Sequence, residues 1–219
     1  MLNEMQFKRR ENMQAPKWTT LNGLTSYPVA LQMMEERVKE ILEKQGREQI
    51  ILLEHPALYT AGTSAKSQEL VKAGSFPVYT TGRGGKYTYH GPGQRVVYVM
   101  LDLREREKDI RAFVAALEEW IIQSLKILDI HSERREGRIG LWVEHQGTEK
   151  KIAAIGIRLK QWVSFHGIAV NVAPNLNHYQ GIIPCGINEY GVTSLRALGS
   201  EASLIDLDQA LYTTFEKIF

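Results

Sequence analysis

Leu31, Met34, Val38, Ile41 and Leu42 recur at helical spacing among charged residues, and Gly46 ends the run. An amphipathic helix is predicted there. A short apolar stretch at 50–53 has the length of a strand and runs into EHPALYTAG, where Pro56 and Gly62 signal a loop. Residues 96–103 are β-branched and apolar with no helix breaker, which predicts a core strand. The clearest helix follows: Ile110, Phe113, Val114, Leu117, Trp120, Ile121, Leu125 and Leu128 form one apolar stripe, with Asp109 placed to cap its start.

Residues 139–144 and 151–160 read as two strands joined by a turn at Gln146 and Gly147, and a third strand is predicted over 162–172. A loop rich in turn formers, APNLNHYQGIIPCGINEYG, comes next. The chain closes with a helix from about Leu204 that carries Leu207, Leu211, Phe215 and Ile218 on one side. Helices interrupt the strands, while the hairpin-like pairs imply antiparallel pairing. The expected class is therefore α+β, a mixed, largely antiparallel sheet with packed helices. Residues 1–16 are polar and mixed in charge and are expected as a flexible N-terminal extension, leaving 17–219 as one domain.

Composition narrows the function classes. The 219 residues are 43% hydrophobic and 24% charged, as in an ordinary soluble globular protein. A net charge of +2 is too small to argue for nucleic acid or a membrane surface as partner. No apolar run has the length of a bilayer span. One cysteine excludes an intramolecular disulfide and a cysteine-rich metal site. A reducing compartment, most simply the cytoplasm, is expected.

The chemistry concentrates in two places. Residues 83–94, RGGKYTYHGPGQ, hold four glycines between two apolar β-like runs. Glycines there let backbone N–H groups approach a ligand closely. No helix follows them, so they do not form a dinucleotide fingerprint. The second place is Cys185, between Pro184 and Gly186 in the turn-rich loop rather than on an apolar face. A thiol of pKa about 8.5 needs a nearby cation or base to react as thiolate at neutral pH. His90, His166, Lys150 and Lys151 are the candidates, and the residues alone leave the choice open.

Five segments, LLEHPALYTAG, RGGKYTYHGPGQRVVYVMLDL, KIAAIGIRL, SFHGIAVNV and IIPCGINEYGVTSL, together resemble the bacterial lipoyl(octanoyl) transferases. They occur in that family's order and span about two-thirds of the chain. The resemblance implies the fold of the biotin and lipoate ligase catalytic domain. It implies transfer of an octanoyl group from octanoyl-acyl carrier protein to a lysine of a lipoyl domain, in 2-oxoacid dehydrogenases or the glycine cleavage H protein, without ATP or metal. Carried over by motif, Cys185 becomes the nucleophile that holds the acyl group as a thioester, and Lys151 the cation that tunes it. Arg83, Gly84, Gly85, Lys86, Tyr87, Thr88, Tyr89 and His90, with Ala154, Ile155 and Gly156 and with Gly167, Ile168 and Ala169, become the acyl-binding wall. The alternatives are an ATP-dependent lipoate-protein ligase or a lipoyl-protein amidotransferase of the same fold, or a non-catalytic acyl-chain binding module.

Overall fold

The computed structural model describes residues 7–72, 74–183 and 190–219. Along the chain come β1 (Lys17–Leu24), α1 (Tyr27–Leu42), β2 (Gln49–Glu54), β3 (Leu58–Ala61), β4 (Val78–Thr80), β5 (Tyr87–His90) and β6 (Gln94–Met100). Then follow α2 (Ile110–Ile127), β7 (Glu133–Arg135), β8 (Arg138–His145), β9 (Thr148–Lys160), β10 (Val163–Asn171), β11 (Gly191–Val192) and α3 (Leu204–Ile218). Among the described residues the main sheet runs β1-β2-β6-β10-β9-β8-β7, with β11 added beside β9. Within this sheet only β1–β2 and β9–β11 of the described strands pair in parallel. A small second sheet has the order β4-β3-β5, and there β3–β4 pair in parallel. The α+β class with a mixed, largely antiparallel sheet and packed helices is the one expected.

The two faces of the sheet are separated by strict alternation along its central strands. Ile50, Leu52, Val97 and Val99 point to the side covered by α2 and α3, where Phe113, Trp120, Leu211 and Phe215 are completely buried. Ile51, Leu53, Val96, Tyr98 and Met100 point to the other side, where α1 lays down Ala30, Met34, Val38 and Ile41. The helix starts follow from local chemistry. Asp109 accepts from the N–H groups of Arg111 and Ala112 at the start of α2, and Ser203 forms a capping box with Asp206 at the start of α3. Both hairpin turns that join β8 to β9 and β9 to β10 place two successive residues at positive φ, Gln146 with Gly147 and Gln161 with Trp162.

Three local expectations differ from the structure. EHPALYTAG is not loop throughout, since Leu58–Ala61 form the buried strand β3. The second half of residues 83–90 is likewise a strand, β5, paired with it. Both strands are four residues long, too short for periodicity to stand out against the flanking Gly and Pro. Within the segment expected as a flexible extension, Phe7 is buried and anchored while most of residues 8–15 are exposed. Phe7 donates its N–H to Ile218 O, and its ring lies 5.6 Å from Phe113 and 6.4 Å from Phe219. The polar average of that segment conceals one aromatic anchor.

Candidate functional site

A surface of small residues lies where β6, β10 and β9 run side by side. Val96 pairs with Ala169 and Ala169 with Ala154, while Tyr98 pairs with Gly167 and Gly167 with Gly156. Partners in an antiparallel pair share a face, so two adjacent rows end in alanine or glycine and leave a shallow apolar floor. Gly167 has no room for anything larger: a Cβ there would meet Val97 O at 2.1 Å. Over this floor stands a cleft of ≈ 530 Å³, part of it open to solvent, whose wall also includes Tyr27, Thr60, Arg83, Lys86, Thr88, His90 and His166.

The roof is the glycine-rich loop, and Arg83 holds its shape. The buried Arg83 guanidinium donates to Thr60 O at 2.8 Å, to Thr60 Oγ1 at 2.6 Å, to Lys86 O at 3.0 Å and to Gly84 O at 2.9 Å. Gly84 N–H bonds Ile157 O on β9 at 2.9 Å, and Ser64 N–H bonds Gly85 O at 3.1 Å. Lys86 reaches Glu69 at 2.6 Å, which draws the Glu69 carboxyl below the usual range despite its burial.

Two histidines, His90 and His166, border the cleft, a third, His55, stands behind them with its ring 5.8 Å from that of His90, and all are neutral. His55 Nδ1–H donates to Thr25 O at 2.6 Å, so its Nε2 accepts from Tyr98 Oη at 2.8 Å. His90 Nδ1–H donates to Gln94 Oε1 at 2.7 Å, and its Nε2 faces Thr60 Oγ1 at 3.4 Å. Burial is the first cause that lowers His55 to about 4 and His90 to about 3, and His55 adds to the effect on His90. His166 is also lowered to about 3, by burial and then by the charges of Arg83 and Arg158. His166 is a non-glycine residue at φ +60 inside β10, and this turns its ring toward Tyr98, 6.2 Å away on the cleft side. None of the three is a base of ordinary strength.

Lys151 stands at the neighbouring end of β9. It is buried, donates from Nζ to Ile139 O at 2.7 Å, and lies 5.3 Å from the centroid of the Trp142 ring. A small second hollow has Lys151 on its wall and shares Thr88 and Ala154 with the cleft. A buried hydrogen-bond chain links the two places. Gln94 Nε2 lies 3.0 Å from Asn171 Oδ1 and 3.0 Å from Tyr179 Oη, and Asn171 Nδ2 donates to Thr193 O at 2.9 Å. Thr193 N–H in turn bonds Lys151 O at 2.9 Å.

Cys185 lies outside the described residues, as do Pro184 and Gly186. The described residues on either side are firmly held. Ile183 N–H bonds Glu69 O at 2.8 Å, and Val192 pairs with Lys151 itself. Tyr190 takes the Arg138 guanidinium over its ring at 4.2 Å, and the same guanidinium lies 4.7 Å from the Trp142 centroid.

Of the other residues expected at the site, Arg83, Gly85, Lys86, Tyr87, Thr88, His90, Ala154, Ile155, Gly156, Gly167, Ile168 and Ala169 border the cleft together. Gly84 and Tyr89 do not. Gly84 braces the loop, and the Tyr89 ring packs against Tyr59 and Phe76 with its hydroxyl 2.8 Å from His178 Nδ1. Tyr27, Thr60, Val96 and Tyr98 border the cleft without having been singled out as ligand contacts. Period-two alternation puts Tyr98 on the face of Val96, a signal that was available. Thr60 had none, because its strand read as loop.

The family model described as the lipoyl protein ligase A/B catalytic domain matches residues 26–216. A Bartonella henselae protein named octanoyltransferase is 54% identical over 98% of this chain and 91% of its own length. A Brucella melitensis octanoyltransferase is 56% identical over 93% of this chain and 80% of its own. Among solved structures, a bipartite lipoate protein ligase from Thermoplasma acidophilum superposes with a TM-score of 0.69 at 16% identity, covering 93% of this chain and 84% of that one. A biotin protein ligase from Aquifex aeolicus gives a TM-score of 0.54 at 13% identity, over 93% and 68%. At such identities the two ligases show a shared fold.

Proposed function

The chain belongs to the lipoyl protein ligase A/B catalytic-domain family, and we propose that within it the protein is an octanoyltransferase that works by two acyl transfers through Cys185. The chain's octanoyltransferase relatives, which match nearly its full length, support the activity. The observation that carries the mechanism is the Ala/Gly floor leading from the Gly156–Gly167 pair, past Ala154, to the hollow walled by Lys151. An alkyl chain laid on that floor gains about 0.8 kcal/mol for each methylene removed from water. Its carbonyl end then falls beside a buried ammonium.

In the first transfer the Cys185 thiolate attacks the thioester carbonyl of octanoyl-acyl carrier protein. A carbon–sulfur bond to Cys185 forms, the carrier's carbon–sulfur bond breaks, and the departing carrier thiolate takes a proton from Lys151. In the second, the neutral amine of the acceptor lysine on a lipoyl domain attacks the enzyme thioester. It gives a proton to Lys151 as the amide forms, and Cys185 leaves as thiolate. The ammonium and thiolate are then restored together, and their attraction in a poorly hydrated site holds the thiol ionised. The neutral histidines take no proton in this scheme. Their part is to close the cleft wall without placing a charge beside the alkyl chain.

The acceptors are the lipoyl domains of 2-oxoacid dehydrogenases and the H protein, and the reaction belongs in the cytoplasm. No helix among the described residues is long and apolar enough to cross a membrane. The test is intact-protein mass spectrometry after mixing with octanoyl-acyl carrier protein and no ATP. A hydroxylamine-sensitive octanoyl adduct on Cys185 is expected. Folded protein with an intact carrier and no adduct would move the assignment to an ATP-dependent ligase or a binding module.

A further inference from the structure

Lys151 reaches its hydrogen-bond partner across a gap in the neighbouring strand. β8 and β9 pair Leu141 with Ala153 but Trp142 with Lys151, so β9 carries one extra residue, a bulge at Ile152. The bulge leaves Lys151, Ile152 and Ala153 buried in succession, where a regular half-exposed strand would alternate. From this position the lysine stem crosses β8 to donate to Ile139 O. It crosses at Gly140. A Cβ on Gly140 would lie 2.5 Å from Lys151 Cε, 3.0 Å from Lys151 Nζ and 2.6 Å from Ala153 O. Gly140 also sits at φ +112, and its N–H lies 3.2 Å from Glu118 Oε1 on α2, so this stretch of β8 is tied down. A side chain at 140 therefore displaces the lysine stem as well as pressing on the Ala153 carbonyl, and the stem, a flexible side chain, gives furthest.

We propose that Gly140 is a positioning residue for the reaction: the missing side chain forms the channel that seats the Lys151 ammonium at Ile139 O. This rests on the reading of Lys151 as the cation that tunes Cys185. A side chain at 140 pushes the ammonium off the Ile139 carbonyl. The thiol then loses its electrostatic support.

Cys185 is the sole cysteine, so the pH dependence of its alkylation by iodoacetamide reports the thiol directly. The comparison uses wild type, Gly140→Ala, Lys151→Ala and the double variant. Lys151→Ala is expected to raise the midpoint of alkylation, and Gly140→Ala to raise it by about half as much or more. Gly140→Ala should also lower kcat by about tenfold while KM for octanoyl-acyl carrier protein stays within about threefold. The double variant should shift no further than Lys151→Ala alone, because no lysine remains to be displaced. A Gly140→Ala protein with the wild-type midpoint and kcat, or a double variant with additive shifts, overturns the proposal. An unmoved midpoint in Lys151→Ala removes its premise instead, and that result is read separately. If Gly140→Ala does not fold, thermal unfolding of the double variant decides. The Ala153 carbonyl and the positive φ resist a side chain in either background, yet Gly140→Ala should cost less stability in the Lys151→Ala protein than in wild type, and an equal cost would overturn the channel.

Discussion

Ala169 stands opposite Ala154 across β10 and β9, with Val96 in register on its other side. At this pair the floor of the cleft therefore carries only single methyl groups. Ala169→Val puts two more carbons onto that floor and shortens the alkyl chain that fits. Excluding two methylenes forfeits about 1.6 kcal/mol, or about tenfold in kcat/KM for octanoyl relative to hexanoyl carrier protein. The two substrates assayed side by side check this, and an unchanged ratio would mean the alkyl chain lies elsewhere.

The adjoining row is closed to enlargement for a different reason. At Gly167 the obstacle is the Val97 carbonyl, 2.1 Å from where a Cβ would sit, and a backbone atom in a central strand cannot turn aside. Gly167→Ala is expected to destabilise the fold by about 1–3 kcal/mol. Chemical denaturation of the two proteins measures it, and equal midpoints would contradict the packing described for β6 and β10.

Much of this was legible beforehand. The stripes of α2 and α3, the turn at Gln146 and Gly147 and the strand after Gly93 follow from periodicity and from residues that favour positive φ. The RGG and PCG segments carried the family, and with it the acyl wall. What stayed hidden depends on registers that no local pattern states. The bulge that aims Lys151 is a mismatch between two strands, and Thr60 meets Arg83 and His90 only because β3 pairs with β5. Nor does any local pattern show that His55, through two hydrogen bonds, joins the start of α1 to β6 by way of Thr25 and Tyr98.

Gln94 secures His90 by accepting its Nδ1–H at 2.7 Å and continues the chain to Asn171 and Tyr179. Gln94→Leu keeps the volume and leaves that N–H buried without an acceptor, a loss of about 1–3 kcal/mol. Urea unfolding is the measurement. A stability within error of wild type would show that another group satisfies His90.

Acid should destabilise the fold through the three neutral histidines. Their folded values, about 4 for His55 and about 3 for His90 and His166, lie below the 6.5 of an unfolded chain. As pH falls below about 6.5 the unfolded state binds protons that the native state refuses, so stability drops until the folded values are reached. Each histidine contributes a slope of up to about 1.4 kcal/mol per pH unit in that window. His166→Asn keeps a residue type that tolerates positive φ and removes one titrating group. Its stability between pH 4 and pH 6.5 should fall less steeply than that of wild type, and an identical slope would mean that His166 titrates normally.

Ser132–Arg138, which hold β7 and the turn into β8, offer a basic run that an acidic carrier protein could use, but the arginines are already engaged. Arg134 pairs with Glu118 at 3.2 Å and Glu119 at 2.8 Å, and Arg135 with Glu133 at 2.5 Å and also with Glu149. Interleaved carboxylates leave little net field to steer a partner beyond the Debye length. Reversing both charges, Arg134→Glu with Arg135→Glu, should lower the melting temperature because four pairings turn repulsive. KM for octanoyl-acyl carrier protein should stay within about twofold of wild type at low and at high salt. A KM that rises steeply in the variant, and a salt dependence that disappears with it, would instead make this turn the docking surface.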